Sequence, residues 1–248
     1  MRFGSLFAGI GGMDRGLESS GMSCCWQVEN DPHAVRVLEK HWPNVERFED
    51  VRTVGKYNLR QVDLICGGFP CQDLSFAGKG AGLNGKRSGL WFEFLRIICE
   101  LRPRYVIVEN VPAILVRGMD TVLGGLAGIG YDAEWDCLSA REFGADHLRR
   151  RIFIVAYPNS QGRAGLESGR SPRVFGQRRR SGKAYLQLED WRTRPLFDSG
   201  RAPLLCRRED GVSNRVHRLK RIGNAIVPQI AEWIGKQIME CELKRRTP

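Results

Sequence analysis

At 248 residues, 42% of them hydrophobic, the chain can bury one substantial core and at most a small appendage. No apolar run approaches the roughly 20 residues that cross a bilayer, and the opening MRFGSLFAG lacks the basic-then-apolar pattern of a secretory signal, so a soluble, intracellular protein is expected. The formal charge of +11 is lopsided: residues 1–157 hold 19 basic and 19 acidic side chains, whereas the last 91 residues hold 20 against 9. Most charge runs are solvated arms, but a basic excess on a neutral body favours a polyanionic partner, nucleic acid foremost.

In chain order, the apolar runs RFGSLFAG, CCWQVEN, QVDLICGG, RYVIVENV, AEWDCLSA and RIFIVAY read as strands. Helical patterns fall between them: MDRGLESS, then DPHAVRVLEKHW with Asp31 as N-cap and Pro32 in the first turn, then SGLWFEFLRIICEL and MDTVLGGLAGI. This alternation predicts an α/β fold with a mainly parallel sheet and helices on its faces. Beyond Tyr157 the pattern fades. Between Pro158 and Arg221 there are 16 basic and 6 acidic residues, in stretches such as RSPRVFGQRRRSGK and WRTRP. Too few apolar residues occur there for an independent core, so this is an insert that leans on the main domain or orders on its ligand. Periodicity returns in NAIVPQIAEWIGKQIMECEL, where Ile226, Ile230, Ile234 and Ile238 recur at helical spacing and predict a helix packed back onto the body. The expected division is an α/β body over 1–157, a basic excursion over 158–215, and a returning segment over 216–248.

The first strand runs into FAGIGG, residues 7 to 12, whose glycines would let a ligand approach the backbone. Glu29, at the end of the second strand, follows at about the spacing at which an acid binds ribose hydroxyls in nucleotide-binding α/β folds. Asp14 stands where a GxGxxG fingerprint has its third glycine, which disfavours NAD. Asp50 follows the next expected strand position, either as an acceptor for an adenine amine or as a turn carboxylate in FEDVRT. Phe7 is either core or a stacking wall.

The eight cysteines form no CxxC pair and have no His at zinc-ligand spacing, and most are expected to be reduced, buried small hydrophobes. Cys71, in GGFPCQ, follows a strand's C-terminal end, where an open α/β sheet binds ligands, and so is placed as a nucleophile as readily as a structural thiol. The stretch SFAGKGAGLNGKRSG after it carries five glycines between residues 75 and 89, the composition of a closing lid or of a linker. YVIVENV ends in Glu109 and Asn110 at the same edge. An acid leaving an apolar strand tends to a raised pKa and can donate a proton near neutrality; the alternative is a helix cap. In HLRRRIFIVAY, alternation sends Arg149 and Arg151 to one face, where guanidinium forks suit a base carbonyl, phosphate or carboxylate.

FAGIGG, GGFPCQDLS, ENV, FGADHLRRRIFIVA and RIGNAIVPQ (residues 221 to 229), in that order, resemble the motifs of the DNA (cytosine-5)-methyltransferase family. The resemblance implies a Rossmann-like S-adenosylmethionine-dependent methyltransferase domain with a small basic target-recognition insert. It assigns Cys71 to attack on cytosine carbon 6, Glu109 to ring nitrogen 3 and the exocyclic amine, and Arg149 and Arg151 to the pyrimidine carbonyl. For the cofactor it points to Phe7, Gly9 and Gly11 around the methionine part, Glu29 at the ribose and Asp50 at the adenine. Gly68, Pro70 and Leu90 would line the site, with Asn224 and Ile226 approaching from the C-terminal motif; no metal is implied. The implied substrate is double-stranded DNA with its target cytosine flipped out, bound by a monomer in a bacterial or phage-infected cytoplasm, with a cognate restriction endonuclease as candidate partner. Two departures stand out: His147 replaces the glutamine that usually opens the arginine motif, and the recognition region is short, as in compact phage and prophage enzymes. An RNA cytosine methyltransferase is the close rival reading. A catalytically silent DNA-binding protein has no need of Cys71, Glu109 and both arginines, and an adenine methyltransferase would carry a DPPY-like motif.

Overall fold

The computed structural model describes residues 1–70, 89–159, 173–175 and 226–246. Among these, seven strands form one sheet: β1 (Arg2–Leu6), β2 (Ser23–Val28), β3 (Glu46–Phe48), β4 (Leu64–Gly67), β5 (Tyr105–Asn110), β6 (Tyr131–Ser139) and β7 (Arg150–Pro158). Their order is β3-β2-β1-β4-β5-β7-β6. Pairs from β3 through β5 are parallel, while β7 runs antiparallel to both β5 and β6. The sheet is mainly parallel, as the alternation predicts. From β1 the chain winds outward through β2 and β3, then crosses back to β4 on β1's other side. The winding therefore reverses between the C-terminal ends of β1 and β4, where a ligand crevice opens in such sheets.

Six α-helices accompany the strands among the described residues: α1 (Gly12–Ser19), α2 (Pro32–His41), α3 (Leu90–Leu101), α4 (Ile114–Arg117), α5 (Met119–Gly128) and α6 (Pro228–Arg246). None of them is long and apolar enough to cross a membrane. α2 begins as its sequence predicts, with the Asp31 carboxylate accepting from the N–H groups of His33 at 2.9 Å and Ala34 at 3.3 Å, and Pro32 at the first helical position. α3 and α5 cover one face of the sheet, where Trp91, Phe94, Ile98 and Leu126 pack with Ile65, Val106 and Ile154. α1 and α6 cover the other, where Leu17, Ile234 and Ile238 pack with Phe3, Ile107 and Val155. Because both faces are covered, β5 and β7 are apolar without alternation.

The structure corrects three readings. The first strand ends at Leu6 rather than running to Gly9, because Phe7 at φ 54° and Gly9 at φ 58° are left-handed and cannot continue a pleat. Ile226 precedes α6, so the buried stripe of that helix is Ile230, Ile234 and Ile238. Six described cysteines are free thiols, and of these Cys66 is buried but Cys99 is exposed on α3.

One described piece of the basic excursion lies in the core. Val174 and Phe175 are buried in the α1/α6 layer, and the Glu134 carboxylate of β6 accepts their successive backbone N–H groups at 2.6 and 3.1 Å. The Phe175 ring sits 6.1 Å from that of Trp233.

Candidate active site

The turn after β1 borders the crevice. Gly9 donates its N–H to one Glu29 carboxylate oxygen at 2.7 Å, and the other oxygen accepts the N–H of Asp31 at 2.8 Å. Glu29 thus locks the turn to the start of α2, and each of its oxygens retains capacity for a further donor. A Cβ on Gly9 would meet no atom of the described residues within 4 Å. At Gly11 a Cβ would lie 2.4 Å from the Trp42 ring, so Gly11 serves packing against the end of α2. Asp50 caps the turn Val51–Thr53 by accepting the N–H of Arg52 at 3.0 Å, and pairs with the Arg52 guanidinium at 2.7 Å. The guanidinium's hydrogen bonds hold the Asp50 carboxyl below the usual carboxylate range. A cavity of about 170 Å³ opens between these elements, lined by Phe7, Val28, Glu29, Asp50, Val51 and Leu90 among others. Of its nine described lining residues, Phe7, Glu29, Asp50 and Leu90 are ones that the sequence singles out for a cofactor. Val28 and Val51 had no signal beyond apolar strand and turn positions.

The second half of the site is built by the sheet's one reversed strand. Because β7 is antiparallel to β5, the residues at its start lie beside the C-terminal end of β5, in the register Asn110 to Ile152 and Glu109 to Phe153. Arg151 Nε is 2.9 Å from Glu109 Oε1, with side-chain exposures of 21% and 12%. Burial pushes the Glu109 pKa up; the Arg151 and Arg149 guanidiniums pull it back, and burial wins. Arg149, two residues before Arg151, lies within electrostatic reach of both; burial and the like charge of Arg151 push its pKa down to about 10, against the pull of Glu109. The described geometry thus brings Glu109, Arg149 and Arg151 together.

Asn110, which the sequence places beside Glu109 at the end of β5, was given no role of its own there. It is buried, and its Nδ2 donates to the Phe69 carbonyl at 3.4 Å, fastening the segment Gly68–Pro70 to the end of β5. The available signal was an amide following Glu109 at the end of an apolar run. Ile226 reaches the start of α1 from the C-terminal side, since a Cβ on Gly12 would lie 2.4 Å from its carbonyl oxygen. Pro70 is the last described residue before position 89; Cys71, most of the glycine-rich stretch and Asn224 lie outside the described residues.

A seven-stranded sheet of this order, with one reversed strand and ligand-facing turns after β1 and β4, defines the class as the Rossmann-like fold of S-adenosylmethionine-dependent methyltransferases. The chain belongs to the C-5 cytosine-specific DNA methylase family, whose model matches residues 1–186. Among curated relatives it is similar to the Type II methyltransferase M.NgoBV of Neisseria gonorrhoeae, 29% identical over 191 residues, covering 70% of this chain and 45% of that one. It is also similar to the Type II methyltransferase M2.BsuMI of Bacillus subtilis, 37% identical over 164 residues, covering 63% of this chain and 42% of the relative. Among solved structures, a prophage-encoded DNA modification methyltransferase from E. coli superposes with a TM-score of 0.55 at 27% identity, covering 64% of this chain and 47% of the other. The chain spans less than half the length of each of the three.

Proposed function

We propose that the chain is a DNA (cytosine-5)-methyltransferase that methylates a flipped cytosine in duplex DNA through a covalent Cys71 adduct. The observation that carries this reading is the buried Glu109 carboxyl held by Arg151, with Arg149 beside it, on the strand edge where the Gly68–Pro70 segment leads into Cys71. A carboxyl whose proton is held above the usual range by burial suits donation to a ring nitrogen, and two guanidiniums suit the neighbouring carbonyl oxygen.

Carbon 5 of cytosine is too weak a nucleophile to take a methyl group unaided. In this mechanism the Cys71 thiolate bonds to carbon 6 while Glu109 gives a proton to nitrogen 3, making carbon 5 an enamine carbon. Arg151 and Arg149 hold the base carbonyl and keep the Glu109 carboxyl in place. After methylation, carbon 5 loses its proton to a base, the sulfur–carbon 6 bond breaks to restore the thiolate, and the nitrogen 3 proton returns to Glu109. When bound, S-adenosylmethionine supplies the electrophilic methyl group.

The cavity fits one end of that cofactor. Its volume of about 170 Å³ is smaller than a whole ligand cleft of roughly 300–1,000 Å³. Glu29 keeps free acceptor capacity for ribose hydroxyls, Phe7 and Leu90 offer apolar walls to the ring, and Asp50 stands at the rim as acceptor for the amine. Gly9, with no described residue within 4 Å of a Cβ built on it, suits close approach of a ligand to the β1 turn. A base paired in a duplex cannot reach a sheet-edge carboxyl, so the target is flipped out, and the basic residues after Pro158 supply phosphate contacts.

The test is transfer of labelled methyl from S-adenosylmethionine to duplex DNA. Wild-type protein is expected to label carbon 5 of cytosine, Cys71→Ser to lose that activity, and 5-fluorocytosine DNA to trap the protein covalently, because fluorine cannot leave as a proton. Label elsewhere, or full activity in Cys71→Ser, removes the mechanism.

A further inference from the structure

We infer that Gly68 is a positioning residue for Glu109: by lacking a side chain it leaves the space in which the acid's carboxyl rests against Arg151. The inference rests on the proposed role of Glu109, and it gives Gly68 a task other than the cofactor wall read from the sequence.

Gly68 is not among the residues with positive φ, so its backbone is one that any L-residue could adopt. The reason for glycine must then be space. A Cβ built there would lie 2.6 Å from Glu109 Oε2, and its next nearest neighbours, the carbonyl oxygen and Cδ of Glu109, are at 3.5 and 3.7 Å. All three contacts belong to one residue. A contact of 2.6 Å is far inside van der Waals distance, so either the carboxyl or the segment must shift.

Neither shifts without loss. Oε1, the other carboxylate oxygen, is held by Arg151 Nε at 2.9 Å in a site that is 12% exposed at the acid. The segment is held too, because Asn110, the next residue on β5, donates to the carbonyl of Phe69, the next residue after Gly68. Acid and segment are therefore tied to each other at adjacent residues of both elements, with the missing side chain between them. An alanine at 68 drives the carboxyl off Arg151. Freed from that guanidinium, the acid holds its proton more tightly and sits away from where nitrogen 3 would receive it.

The test compares Gly68→Ala, Glu109→Gln, Glu109→Asp and the double variant Gly68→Ala/Glu109→Asp with wild type, reading methyl transfer to duplex DNA, its pH profile, S-adenosylmethionine affinity and Tm. For Gly68→Ala the expected result is a kcat lowered about 100-fold. The alkaline limb of the profile moves to higher pH, while cofactor Kd stays within about twofold and Tm holds. Aspartate is one methylene shorter and clears the added methyl, so the double variant should lose less than the product of the two single losses. Unchanged kcat and pH profile, or losses that simply multiply, overturn the inference. So does a weakened cofactor Kd with unchanged kcat, which returns Gly68 to the cofactor wall, or a Tm fall that accounts for the lost activity. Full activity in Glu109→Gln instead removes the acid role itself, whatever Gly68→Ala does.

Discussion

Asp14 replaces the glycine that a dinucleotide fingerprint would have, and the structure gives it a task in the core. Its carboxylate accepts from Ser5 Oγ at 3.0 Å and Gln27 Nε2 at 2.8 Å, joining α1 to β1 and β2. The Gln27 carbonyl accepts from Arg47 Nε at 3.1 Å, and the same guanidinium donates to the Leu38 carbonyl at 3.0 Å and to that of Trp42, which extends the network to the end of α2. Burial outweighs the hydrogen bonds and pushes the Asp14 pKa from the ordinary 3.8 to about 6. A raised pKa means that the folded state keeps the proton after the unfolded chain has released it. This contribution is therefore complete below pH 3.8 and is lost as pH rises through about 6. At about 1.4 kcal/mol per pH unit the loss is on the order of 3 kcal/mol. Asn keeps an acceptor for Gln27 and an amide for the Ser5 oxygen but cannot titrate. Urea unfolding of Asp14→Asn at pH 4 and pH 7.5 should therefore give a pH-dependent loss smaller than wild type's by about that amount; equal losses in the two proteins would assign the pH dependence to other groups.

The C-terminal helix reaches the cofactor side of the molecule through close packing against α1. A Cβ on Gly16 would lie 2.2 Å from the Pro228 carbonyl oxygen and 2.6 Å from the Ala231 Cβ, so the two helices approach to backbone contact there. At its far end α6 is tied to the foot of β5, where Tyr105 donates its hydroxyl to Glu242 at 2.9 Å and Arg104 pairs with the same carboxylate. Gly16→Val forces the start of α6 away, and α1 follows directly on the turn that carries Gly9. The variant is expected to lose about 1–3 kcal/mol of unfolding free energy and to bind S-adenosylmethionine more weakly, as calorimetry would show. Unaltered cofactor affinity would mean that the α1–α6 seam is structural only. This seam also marks the reach of sequence reading. Long strands buried on both faces, the Asp31 cap and the isoleucine stripe of α6 are local patterns and were legible. β3 has three residues, too few for a pattern, and the turn at Phe7 has the composition of a strand. The antiparallel direction of β7 leaves no local trace, yet it is what sets Arg149 and Arg151 against Glu109. Likewise Glu134 looked like any strand carboxylate until Val174 and Phe175 were found capped by it, a contact about 40 residues away in sequence.

At the scale of the whole molecule the charge is divided unevenly between body and excursion. The body that builds the crevice is neutral overall, and the excess lies in the segment that leaves the sheet after β7. Arg178, Arg179 and Arg180 follow three to five residues after Phe175, which is buried in the α1/α6 core. If these arginines meet phosphates, each displaces a condensed counterion, and log affinity falls against log salt with a slope of about −0.9 per contact. Replacing all three by alanine should then flatten the salt dependence of duplex binding by up to about 3 in slope. Affinity should weaken to a similar degree for every DNA sequence, because phosphate contacts carry no base information. If S-adenosylmethionine binds at the Glu29 cavity as proposed, its affinity should not change. Fluorescence anisotropy across a salt series measures the slope, and the comparison of methylated and unrelated duplexes separates phosphate contact from base reading. A slope equal to wild type's would make the arginine run a solvated arm and move the search for phosphate contacts to the other basic residues beyond Pro158.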